Sequence, residues 1–210
     1  MMTFPVLFVF CLIFSSSYAA VQDFCVANYT APQSPAGYFC KNPANVTVDD
    51  FVYTGLEVAG NASKINKVRL NTAFVSQFPG LNGLGLSLAR ADLAVGGSIP
   101  LHTHHGATEI ILVAEGTVVL GFIDSNNKVY LKTLNKGDIL VIPPGLLHFQ
   151  VNGGNSPALE FAFFSSADPG VQILENSLFL SNLPTELIAQ TTFLDTAQIK
   201  KLKGFLGGTN

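Results

Sequence analysis

The chain reads as one all-β domain, a sandwich or barrel of short strands, with α-helices at its C-terminal end. Three observations carry this reading. Short apolar or alternating runs recur from Leu84 onward, separated by turn clusters. The 210 residues hold 19 Gly and 11 Pro, so turns are many and elements short. Hydrophobic residues make up 48% and charged residues 12%, enough apolar material for one large core.

The start of the chain stands apart from the fold. Val6 to Phe14 is apolar and precedes Ser15-Ser16-Ser17-Tyr18-Ala19. That pattern predicts a secretory signal peptide over 1–19, although its first residues carry no Lys or Arg. The run is too short to span a bilayer, so no membrane partner is expected. Cys11 leaves with the leader, and Cys25 and Cys40 remain as an even pair in an oxidising compartment. A bridge between them closes a loop of about 15 residues, worth roughly 3 kcal/mol. Asn28, Asn45 and Asn61 each begin an acceptor triplet for N-glycosylation. Through residue 82 the sequence is punctuated by Pro and Gly, and no long period survives. Residues 20–82 are therefore expected to be an irregular extension fastened by the disulfide.

A period of two begins at Leu84, Leu86 and Leu88, continued by Arg90 and Asp92, which can pair on the sheet's outer face. Further strands are expected at Glu109–Val113, Thr117–Ile123, Val129–Leu134, Ile139–Ile142, His148–Val151 and Leu159–Phe164. Turns fall at Asp124–Asn127, Lys136–Asp138, Pro143–Gly145 and Asn152–Gly154. Lys136-Gly137-Asp138 resembles an adhesion tripeptide, but a tight turn explains it. Residues 83–170 thus form the barrel core and 171–210 a helical segment. Pro184 suits the first position of a helix over Thr185–Gln190. Asp195 and Gln198 form a capping box for a second helix with the stripe Ile199, Leu202 and Leu206, stopped by Gly207-Gly208. The net charge is -3 and the basic residues are scattered, which excludes a nucleic-acid surface.

The chemistry concentrates between Gly96 and Gly116. His102 and His104 lie two apart, so on a strand both rings share one face. Glu109 opens the next run, and His148 arrives later. Three of the four histidines and a glutamate can therefore converge. Three neutral nitrogens and a carboxylate oxygen, with no thiolate, leave open positions in an octahedral shell. That favours Mn(II) or Fe(II) over structural zinc. His105 points the opposite way, and Glu115 is read as exposed. Glu160 sits in an apolar strand as a candidate acceptor for a ligand histidine's second nitrogen.

Gly96, His102, His104, Glu109 and Gly116 match the first cupin motif, G-x5-H-x-H-x4-E-x6-G. Gly137, Pro143, Gly145, His148 and Asn152 match the second, G-x5-P-x-G-x2-H-x3-N. The segment Val21-Gln22-Asp23-Phe24-Cys25-Val26-Ala27, together with GLLHFQ and KKLKGFLGGTN, is similar to plant germin-like proteins. The resemblance is greatest to subfamilies without oxalate oxidase activity, which include auxin-binding-like members. It implies a single cupin jelly-roll β-barrel with a manganese ion on His102, His104, Glu109 and His148, and a Cys25–Cys40 disulfide. It also implies a secreted apoplastic glycoprotein, assembled as a homohexamer (a trimer of dimers clasped by C-terminal helices). Oxalate oxidases of the family carry two asparagines near the metal. The corresponding positions here are Ala89 and Ile99, which donate no side-chain hydrogen bond, and His105 stands where the family usually has proline. Little or no oxalate oxidase activity is therefore expected. The remaining functions are a manganese superoxide dismutase of the wall with a part in defence, or a non-enzymatic binder of auxin or another small ligand, or a wall protein. For a small aromatic acid, Ile99, Leu146 and Leu147 would wall the pocket. A storage role ranks last, because storage cupins often lack the ligands this chain keeps.

Overall fold

The computed structural model describes residues 23–34, 36–63 and 65–209; the expected leader and the side chain of Asn61 lie outside what it describes. Among the described residues eleven strands form two antiparallel sheets. One has the order β1 (Asn61–Ala62), β2 (Val68–Ala73), β3 (Ser87–Leu93), β10 (Ala158–Phe164), β5 (Glu109–Glu115) and β8 (Ile139–Ile142). The other has β11 (Gln172–Ile173), β4 (Ser98–Thr103), β9 (Leu147–Asn152), β6 (Thr117–Ile123) and β7 (Val129–Asn135). The sheets close face to face as a jelly-roll barrel, which buries the inner face of each.

Period-two alternation sends one set of side chains inward along each strand. Ala91, Leu93, Ile111, Val113, Val118, Leu120 and Ile142 make the core, with Ile99 and Phe122 packed against it. Each fully buried branched side chain contributes about 1.5–3 kcal/mol. The β5–β6 connection is the single residue Gly116, at φ +77°. A Cβ there would lie 2.8 Å from the Pro157 carbonyl oxygen, so only glycine turns this corner without strain.

Two strand expectations need correction. The stretch through residue 82, read as irregular, contains β2, which pairs with β3 along its whole length. Its ends, Val68 and Ala73, are buried, but the polar Arg69, Asn71 and Thr72 between them blur the alternation. The strand expected from Leu84 starts at Ser87. Its buried set is Ser87, Ala89, Ala91 and Leu93, while Leu84 and Leu86 are about half exposed. Small inward residues leave room inside the barrel, so hydrophobicity alone points to the wrong face.

The extension is tied to the barrel by the β2–β3 pairing, by the Val75 N–H donating to the Ala167 carbonyl oxygen at 2.9 Å, and by Arg90 donating to the carbonyl oxygens of Leu56 and Glu57; further contacts hold it together internally. Cys25 and Cys40 are bonded, with Cα atoms 4.8 Å apart. Buried Asn82 donates to the Tyr38 carbonyl oxygen at 2.9 Å, and the Ala27 N–H donates to the Pro79 carbonyl oxygen at 2.9 Å. Arg90 and Asp92 form the two-pronged pair, both contacts at 2.8 Å.

After β11 the chain makes a π-helical turn, Asn176–Leu180, then helices α1 (Thr185–Thr192) and α2 (Thr196–Leu206). Pro184 takes the N-cap position rather than the first helical one, and α1 runs two residues beyond Gln190. The Asp195–Gln198 capping box is present in both directions, and Gly207 ends α2 in the left-handed region. Phe179, Ile188 and Ile199 make a small separate core for this arm. Ile199 and Leu206 face it, whereas Leu202 stays partly exposed. Among the described residues no helix is long and apolar enough to cross a membrane.

Candidate metal centre

Three strand ends bring the four chemical side chains to one end of the barrel. His102 is the penultimate residue of β4 and lies opposite His148 on β9, after a bulge between Ile99 and His102. His104 follows directly after β4, and Glu109 opens β5. One ligand atom from each of His102, His104, Glu109 and His148 falls within 4.8 Å of the others, and the four residues are only 1–6% exposed.

The protons decide what this cluster can do. Each ring turns one nitrogen away from the centre. Nδ1 of His102 donates to the Pro100 carbonyl oxygen at 2.8 Å, and Nδ1 of His148 donates to that of Leu146 at 2.8 Å. Nδ1 of His104 donates to the carbonyl oxygen of Gly170. With the proton held on Nδ1, every Nε2 is a bare lone pair facing inward. Glu109 Oε2 lies 2.9 Å from His148 Nε2, yet the two make no hydrogen bond, and both atoms are buried without a partner. Two acceptors facing each other at that distance, in a pocket closed to water, repel unless a cation lies between them. The donor set fits a divalent first-row metal held by three Nε2 atoms and the Glu109 carboxylate.

Burial tunes the ligands in the same direction. His102 is pushed down to about 3, first by burial and then by the neighbouring His148. His104 is also lowered, chiefly by burial. Both rings are therefore neutral at ordinary pH, as a metal requires. The surroundings are apolar. The Phe164 ring lies 4.8 Å from that of His104, and Ala89, Ala107, Phe74 and Ala162 pack with Phe164.

Other residues singled out in the sequence are distributed as follows. His105 is exposed and lies against Gly170, and Glu115 is exposed. Ile99 packs on the core, while Leu146 and Leu147 are half-buried. Glu160 makes no hydrogen bond to a ligand histidine. Its Oε2 is buried without a partner, and backbone carbonyls take the role expected of it. Two of those carbonyls had a local signal, since Pro100 and Leu146 each precede their histidine by two residues on an extended chain. Gly170 is 66 residues from His104 and gave none. Asn45 is exposed on a 3-10 turn, and Asn28 is half-buried, its Oδ1 accepting from the Thr30 hydroxyl at 2.7 Å.

Comparison with known proteins agrees with this geometry. The family model described as Cupin matches residues 54–200. The chain is 65% identical to auxin-binding protein ABP19a of Prunus persica over the full length of both. It is 58% identical to a germin-like protein of Morus alba, covering 99% of this chain and 100% of that one. A solved structure of recombinant oxalate oxidase in complex with glycolate superposes with a TM-score of 0.85 at 34% identity, covering 89% of this chain and 96% of the other. A two-sheet jelly roll, a buried three-histidine, one-glutamate cluster and full-length likeness to these relatives place the chain in the cupin family, among the germin-like proteins.

Proposed function

We propose that this chain is a secreted, manganese-binding glycoprotein of the plant apoplast that dismutates superoxide and takes part in defence. The observation that carries the metal reading is the set of three histidines whose Nδ1 protons are all held by backbone carbonyls, leaving three bare Nε2 atoms and an unpartnered carboxylate oxygen around one point. Bound there, manganese supplies a one-electron redox couple with open coordination positions. The chain's own residues do the rest. Neutral imidazoles stay available to the metal without competition from protons, and Phe164 and the surrounding alanines keep the centre apolar. Ala89 and Ile99 offer no side-chain donor to a dicarboxylate, which argues against oxalate as substrate. The Cys25–Cys40 bond supports an oxidising compartment, and Asn28, Asn45 and Asn61 are the proposed glycan sites. A homohexamer, a trimer of dimers, would cover the exposed apolar side chains of the arm (Leu180, Leu187, Phe193 and Phe205) and of the six-stranded sheet (Ile110, Phe163, Ile139 and Val141).

The test uses protein loaded with manganese, freed of unbound metal and assayed with a chelator present. Superoxide loss should follow the protein and vanish in His102→Ala, and oxalate should release no peroxide. Equal dismutation by metal-stripped His102→Ala, or robust peroxide from oxalate, would overturn the reading. The auxin-binding names of relatives at 65% identity favour a second reading, a non-enzymatic small-ligand binder. It requires saturable auxin binding that disappears on chelation, and no binding at millimolar auxin would count against it.

A further inference from the structure

The segment between the barrel and the C-terminal arm touches the barrel repeatedly and the metal ligands twice. The Ser87 hydroxyl donates to the Ser166 carbonyl oxygen at 2.6 Å, and the Val75 N–H donates to that of Ala167 at 2.9 Å. The Gly106 N–H donates to the Pro169 carbonyl oxygen at 3.4 Å. Gly170 then accepts the Nδ1 proton of His104. Three residues later Ile173 pairs with His102, and Gln172 pairs with Thr103. One strap therefore reaches two ligands. Gly170 holds its place in a conformation that other residues resist. Its φ is +63°, and a Cβ would lie 2.6 Å from the ring of His105.

Phe179, in the π-helical turn six residues after Ile173, is the first member of the arm's own core with Ile188 and Ile199. The helices pack on each other and on that turn, which meets the barrel's edge strand β11. A cleft of about 600 Å³ remains beside them, lined by Ile65, Pro100, Ile173, Phe179, Leu202 and Phe205.

We propose that Gly170 is a positioning residue for the metal ligand His104, and that through the 166–173 strap the docking of the C-terminal arm and the retention of the metal form one coupled equilibrium. A docked arm holds the Gly170 carbonyl where it fixes the His104 tautomer and ring direction. A bound metal holds His102 and His104 where they fix the strap. Linkage makes the effect reciprocal. This rests on the metal reading and not on the reaction assigned to it.

The experiment compares manganese-loaded and metal-stripped full-length protein by amide hydrogen exchange. Removal of metal should raise exchange across Thr185–Leu206 by roughly tenfold, within the usual range of coupling between sites, and leave Val129–Asn135 unchanged. In the reverse direction Ile188→Ala, which hollows the arm's core far in sequence from any ligand, should speed manganese loss to excess chelator by roughly tenfold. Should that variant not fold, the exchange comparison on the unmodified chain decides alone. Unchanged arm exchange on metal removal overturns the coupling, as does a loosened Ile188→Ala arm that releases manganese at the original rate. A chain that binds no manganese overturns both this proposal and the metal reading beneath it.

Discussion

Glu160 gives the metal-free protein a pH profile that one substitution should remove. Its side chain is 2% exposed, and its pKa is pushed from 4.5 to about 8, first by burial and then by Glu109. Folding thus favours the protonated acid. Between pH 4.5 and about 8 the unfolded chain gives up this proton while the folded chain keeps it, so the contribution of Glu160 to stability falls as pH rises and is gone above about 8. About three and a half pH units, at about 1.4 kcal/mol each, set a ceiling of about 5 kcal/mol. His102 acts in the opposite sense. Its folded value of about 3 lies below the ordinary 6.5, so stability is lost as pH falls from 6.5 toward 3. The metal-free protein should therefore be most stable near pH 4.5–6.5 and weaken on either side. Glu160→Gln removes the alkaline branch alone. Urea unfolding of both metal-free proteins, with the disulfide intact, provides the comparison. The stability difference between them should change by about 2–5 kcal/mol from pH 4.5 to 8.5. A difference constant to within about 1 kcal/mol would refute the claim that the fold holds Glu160 protonated.

Three further outcomes follow from the packing. Reduction of Cys25–Cys40, or the double serine variant, should lower stability by about 3 kcal/mol for its 15-residue loop; an unchanged denaturation midpoint would contradict this. The buried ammonium of Lys203 donates to the carbonyl oxygens of Ser181 at 3.0 Å and Thr209 at 2.8 Å. Lys203→Met should cost about 1–3 kcal/mol and admit protease to the arm before the barrel, whereas wild-type cleavage rates would show the bonds to be idle. Gly116→Ala should cost about 1–3 kcal/mol, read as a lower melting temperature, because the new Cβ meets the Pro157 carbonyl at a left-handed corner.

The barrel was legible wherever alternation and turn chemistry coincide. Thr117–Ile123 and Val129–Asn135 pair around the Asp124 turn, where Oδ1 accepts from the Asn126 and Lys128 N–H groups. The four cluster residues were legible because motif spacing and strand geometry converge on them. β2 was hidden by its polar middle, and β3 by the small side chains that its inner face needs. The parts of the centre that depend on distance along the chain had no local signal. The Gly170 carbonyl, 66 residues away in sequence, is brought to His104 by the 166–173 strap, and neither residue type announces the other. Glu160 was seen as buried, but its role was misassigned, since backbone carbonyls close to the rings satisfy the histidines first.

The central claim is that His102, His104, Glu109 and His148 form a metal site, and elemental analysis of protein purified from a secretory host tests it most directly. The account predicts close to one manganese per chain, with binding lost in His102→Ala while the disulfide and strand content persist. A folded wild-type chain that carries no metal, and takes up none from excess manganese, would contradict it.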